Sequence, residues 1–200
     1  MKFLLLLFIS LTILVQADDN KYSLRTGYGL ASESDLSEIL TGDFGKHPRD
    51  LSVYFLDAGY LLEKDFYDLP IDVYAKGGLA YFNEDEFSDT MEATIYIKFY
   101  WNMDFLDNRV RFGFAEGLSY TLNTLETEYF EAKMDREPTS QFLNYLDISL
   151  DFDLGKLVRY KPLYETYVGY AIKHRSGVFG LFNGVHGGSN YNTFYLEKNF

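Results

Sequence analysis

Near its carboxyl end the chain reads YVGYAIKHRSGVFG, Tyr167 to Gly180, with His174 and Ser176 two residues apart. On an extended strand, side chains at i and i+2 leave the same face, with Cα atoms about 6.5–7 Å apart, so an imidazole spans most of the distance to a serine hydroxyl. Such a pair can carry out acyl transfer. His174 would act as general base, Ser176 as nucleophile, and a third polar group would orient the ring. Asn190, Asn192 and Glu116 are the candidates for that third position. Backbone N–H groups around Gly177 are candidates for an oxyanion hole, and Asn144 is a candidate substrate contact.

The elements that must position these groups are strands. Alternation with period two dominates the chain, and eight segments qualify: 21–30, 50–62, 71–82, 91–102, 109–120, 142–154, 164–176 and 190–200. In the fourth, Met91, Ala93, Ile95, Ile97, Phe99 and Trp101 oppose Glu92, Thr94, Tyr96, Lys98 and Tyr100. The polar faces are rich in glycine and in charges of both signs, which suits the crowded lumen of a small barrel. Lys76, Lys98, Arg109, Arg111, Asp147, Asp151, Lys173 and Glu197 are therefore expected to pair inside it. Asp57 and Ser52 spoil either face of the second segment. Links after the odd-numbered strands read as long and those after the even-numbered ones as short, the pattern of transmembrane barrels. The expected fold is an all-β, eight-stranded antiparallel up-and-down transmembrane β-barrel. By its parity, His174 and Ser176 face outward, near the outer boundary of the membrane, together with Asn144, Asn190, Asn192 and Glu116.

The opening MKFLLLLFISLTILVQADDN reads as a secretory signal peptide cleaved after Ala17, leaving one domain over 18–200. The terminal strand ends on Phe200, as in bacterial outer-membrane proteins, so the expected location is the outer membrane. Aromatic residues make up 18% of the chain and cysteine is absent, which excludes a disulfide framework and a thiolate site. A net charge of -12 argues against nucleic acid as a partner. His47, His174 and His186 lack zinc-site spacing, and no cofactor is expected. His186 and the acidic run NEDEFSD read as solvated loop residues.

The HRS sequence at the end of the penultimate strand, in an exported eight-stranded barrel of this length, resembles the PagL-type lipid A 3-O-deacylases. That resemblance implies a His-x-Ser dyad on the barrel exterior and a serine-type hydrolase of an ester-linked 3-hydroxyacyl chain of lipopolysaccharide, with lipid A as partner. The family places a glutamate about a dozen residues after the serine. Here GVFGLFNGVHGGSN holds no acid, so Asn190, Asn192 and Glu116 remain open for the third role. The alternative is a non-enzymatic structural or adhesive outer-membrane barrel, and a homodimer is left open.

Overall fold

A computed structural model of the protein describes residues 20–200; the expected signal segment lies outside them. The alternating segments form strands β1 (Tyr22–Ser32), β2 (Ser52–Glu63), β3 (Ile71–Asn83), β4 (Thr90–Phe105), β5 (Asn108–Thr121), β6 (Phe142–Asp153), β7 (Thr166–Ser176) and β8 (Gly188–Asn199). Each pairs antiparallel with the next, and β8 pairs with β1, closing an eight-stranded barrel. Short helices sit in the links: α1 (Leu36–Leu40) after β1, α2 (Glu126–Asp135) after β5 and α3 (Leu154–Leu157) after β6. Leu106 and Asp107, with φ of +49° and +59°, form the tight turn between β4 and β5, matching strand twist.

The expected alternation of long and short links fails in two places. The link after β3 spans only 84–89, whereas the one after β6 spans 154–165 and carries α3. Strand register, rather than link length, sets the topology.

Polar and charged side chains fill the lumen as paired groups. Arg25 donates to Asp147 at 2.7 Å, and Lys98 contacts the same carboxylate. Arg111 forms a two-pronged pair with Asp151 at 2.8 Å, and Lys76 meets Glu197 at 2.7 Å. Asp57 is accommodated here as well, facing inward 4.0 Å from Arg25, and Ser52 is buried at the loop end. Arg109 departs from expectation: it lies at the rim and clasps Asp104 across the tight turn, at 2.9 and 3.0 Å. Outward positions such as Leu56, Leu79, Ile95, Phe112, Leu150 and Phe194 are exposed. An apolar exterior on this scale needs a non-aqueous surrounding, because each Å² kept from water is worth roughly 25 cal/mol.

At the end of the barrel opposite the termini, α2 ties the links into a cap. Glu126 pairs with Arg49, and its Oε2 accepts the N–H groups of Asp85, Glu86 and Phe87 at 3.0, 2.8 and 3.3 Å. Glu128 meets Arg175 at 3.1 Å, and Glu131 accepts the Gly188 N–H at 3.1 Å. The acidic run is therefore not merely solvated. Glu84 is buried and accepts the Glu126 N–H at 3.0 Å, and burial pushes its carboxyl up to about 7.

Candidate functional site

The charges of β7 decide which way its dyad points. Lys173 reaches inward to Glu92 at 2.6 Å and Arg175 to Glu128, and both are buried in the lumen. A slip of one residue would turn these cations outward, so register is strongly specified. His174 and Ser176 are thereby held on the exterior, each half-buried. Two rows run across the neighbouring strands: Glu116, Leu146, His174 and Asn190 in one, and Leu118, Asn144, Ser176 and Gly188 in the next.

The ring of His174 has a fixed partner. Its Nδ1 lies 2.7 Å from Asn190 Oδ1, and Asn190 Nδ2 donates to the Ser34 carbonyl at 3.1 Å. A carbonyl can only accept, so Nδ2 must face Ser34 and Oδ1 must face the ring. Nδ1 therefore carries the proton, and in the neutral ring Nε2 keeps its lone pair. Among the described residues no hydrogen bond joins His174 to Ser176. Catalytic hydrogen bonds commonly tighten only once substrate binds.

The other expected residues have separate duties. Asn192 accepts the Tyr170 hydroxyl at 2.5 Å. Glu116 is held by Asn144 Nδ2, which also donates to the Gly117 carbonyl at 3.2 Å. Asn144 stands directly across from Ser176.

Gly177 does not supply the oxyanion donor expected of it, because its N–H is bonded to the Gly187 carbonyl at 3.1 Å. Its missing side chain serves packing, since a Cβ there would lie 1.8 Å from Val185 O. The next two residues, Val178 and Phe179, have φ of +48° and +53°, and their N–H groups make no hydrogen bond among the described residues. Such backbone is costly for a β-branched residue. The glycine-rich GVFG turn was the only sequence signal for these donors.

A groove of about 710 Å³ has Leu146, His174, Ser176 and Asn190 on its strand side and Asp35, Phe130 and Phe179 on its loop side. A second groove of about 500 Å³ is apolar and is lined by Tyr28, Leu30, Phe44, Tyr170 and Phe194 around Asn192. Phe44, from the link after β1, packs edge-on against Tyr170 at 5.9 Å. That link lies against the outward faces of β7 and β8, through Phe44 on Tyr170 and Ser34 on Asn190, a placement of which the sequence gives no sign beyond the link's length. His186 is exposed, with Nδ1 3.2 Å from Glu137 Oε1, while also lining the larger groove. Among the described residues no cluster of His, Asp and Glu is arranged to hold a metal.

No protein-family model and no curated protein matches the chain. Solved structures do. The outer membrane enzyme PagL superposes with a TM-score of 0.61 at 10% identity, over 89% of this chain and 99% of that one. Neisserial surface protein A gives 0.50 at 10% identity, over 91% and 98%. The fold is that of an outer-membrane β-barrel. Identity at this level carries the fold alone, and the activity has to be argued from the residues of this chain.

Proposed function

We propose that this protein is a serine-type ester hydrolase of the bacterial outer membrane that releases an ester-linked 3-hydroxyacyl chain from the lipid A part of lipopolysaccharide. The observation that carries the reading is the chain from Ser34 O through Asn190 to His174, which leaves Nε2 as the base on the lipid-facing surface beside Ser176. In a soluble protein that surface would be an odd place for a nucleophile. On a barrel it meets the acyl esters of the outer leaflet directly.

Ser176 Oγ attacks the ester carbonyl carbon while its proton passes to His174 Nε2, and Asn190 holds the resulting imidazolium in place. The oxyanion is taken by free backbone donors, for which the Val178 and Phe179 N–H groups are available. Collapse breaks the carbon–oxygen bond to the leaving alkoxide, which receives the proton from His174. Water, deprotonated by the same nitrogen, then cleaves the acyl-serine and frees the fatty acid. The apolar groove of Phe44, Tyr170 and Phe194 is suited to the departing chain.

The second reading, a non-enzymatic surface or adhesive barrel, draws on Phe179 and Leu181, 93% and 77% exposed in the last long link. Turnover of a fatty-acyl p-nitrophenyl ester by the purified barrel in detergent micelles separates the two. We expect Ser176→Ala and His174→Ala each to lower kcat by about 10³-fold or more. Rates equal to wild type in both variants would leave the surface-barrel reading standing.

A further inference from the structure

The link between β6 and β7, residues 154–165, is longer than a turn at that end of the barrel needs, since two residues suffice between β4 and β5. It is also firmly built. The buried Asp153 carboxylate accepts the N–H of Lys156 at 2.9 Å and that of Glu165 at 3.0 Å, so one side chain clamps both ends. Between these points α3 folds back on a 3₁₀ turn at Lys161–Leu163, so closely that a Cβ on Gly155 would lie 2.2 Å from the Leu163 carbonyl carbon. The side chains that the link displays are therefore held in place before anything binds them.

Those side chains are apolar and cationic by turns. Leu157, Val158 and Tyr160 are each more than half exposed, and the exposed Arg159 and Lys161 are interleaved with them. Beside the link, Phe152, Val168 and Leu196 form one exposed row across β6, β7 and β8, so the patch continues the lipid face of the barrel. Lys156 lies 3.9 Å from Asp104, and Glu165, the one acid of the link, accepts the Tyr167 hydroxyl at 2.8 Å. Arg159 and Lys161 have no such partner among the described residues. With three cations against Glu165 the link carries a net +2, whereas the links 64–70 and 106–107 at the same end each carry -1, in a chain of net charge -12.

Cations interleaved with aliphatic and aromatic side chains suit the boundary where acyl chains meet charged headgroups: the apolar parts enter, and the cations reach out to phosphate. The end that carries the termini and the two-residue turn is the periplasmic end of an outer-membrane barrel. The lipid met there is phospholipid of the inner leaflet. We propose that the link 154–165 is a docking surface for an anionic phospholipid of that leaflet, with Arg159 and Lys161 on its phosphate and Leu157, Val158 and Tyr160 against its first acyl carbons. The net positive charge of the link selects an anionic headgroup over a zwitterionic one. This surface is independent of the groove around His174 and Ser176, and it stands whether or not the chain hydrolyses esters.

The test is native mass spectrometry of the folded barrel released from micelles that contain phosphatidylglycerol or phosphatidylcholine with the same acyl chains. Phosphatidylglycerol should bind about tenfold more tightly or better, the combined effect of two cations near an anionic headgroup. Replacing both cations, Arg159→Gln with Lys161→Gln, should reduce the preference to about twofold or less. The charge-keeping pair Arg159→Lys with Lys161→Arg should retain most of it, as should Lys46→Gln with Lys133→Gln, which removes two cations from the opposite end. Heat-modifiable gel mobility verifies that each variant is folded. Equal binding of the two lipids, or a preference that outlasts the loss of both cations, would overturn the proposal. Displacement of the lipid by glycerol phosphate at equal concentration would assign the site to a free phosphate ester instead. Cosedimentation with peptidoglycan that needs Arg159 and Lys161, without any lipid preference, would give the surface to the cell wall and refute the lipid assignment.

Discussion

On the proposed reading the group that orients His174 is an amide rather than an acid, and this shapes what the ring can do. Asn190 Oδ1 fixes the tautomer as a carboxylate would, but adds no negative charge beside the imidazolium that forms during acyl transfer. Asn190→Ala should therefore lower kcat by about 10- to 100-fold with little change in KM, because general-base efficiency falls when the ring is free to turn. Asn190→Asp accepts the same N–H and adds the missing charge but turns an acceptor oxygen toward the Ser34 carbonyl, so it should recover only part of the rate lost in Asn190→Ala. Stopped assays of ester turnover on the two variants check this, and an equal loss in both would mean that Asn190 only supports the fold. His174, Ser176 and the outward parity of their neighbours were legible in the sequence, because alternation assigns faces. The choice among Asn190, Asn192 and Glu116 was not, because it depends on Ser34 reaching in from a distant link and on Tyr170 occupying Asn192.

At the scale of elements, the cap built on α2 is the part whose behaviour depends most on pH. Glu84 is neutral in the closed cap up to about 7, against an ordinary value near 4.5, mainly because it is buried. Burial raises Glu128 and Glu131 in the same direction. Between 4.5 and 7 the closed cap holds a proton on Glu84 that an opened cap would release, so closure weakens as pH rises through that window and levels off above it. Glu126 acts in the opposite sense. It is buried, but Arg49 and three backbone N–H groups hold it below its usual range, so its contribution is already complete well below neutral pH. Hydrogen exchange, corrected for its intrinsic rate, should show less protection of amides in 84–89 and 126–135 at pH 8 than at pH 5.5. Glu84→Gln should remove most of the difference, and equal protection at both pH values in the wild type would refute the assignment. The strands were readable from period two alone, with errors of a few residues at their ends. The cap was not, since Glu84 and Glu126 meet only once the barrel brings the links after β3 and β5 together.

For the whole molecule, the barrel reverses the ordinary arrangement: paired charges inside and an apolar skin outside. Lys98, Arg25 and Asp147, or Lys76, Arg111 and Glu197, hold one another in the buried lumen, where an unpaired ion would cost several kcal/mol. This arrangement fixes the register of every strand and so determines which residues meet the membrane. The outward position of His174 and Ser176 follows from Lys173 and Arg175 pointing in. On the proposed reading such a site takes its substrate from the lipid layer, and the chemistry should be visible in the membrane itself. The decisive measurement is mass spectrometry of lipid A from cells producing the wild-type chain, Ser176→Ala or His174→Ala. The account predicts loss of one hydroxyacyl chain with the wild type and intact lipid A with either variant. Lipid A unchanged in all three, from cells with the barrel folded in the outer membrane, would contradict it.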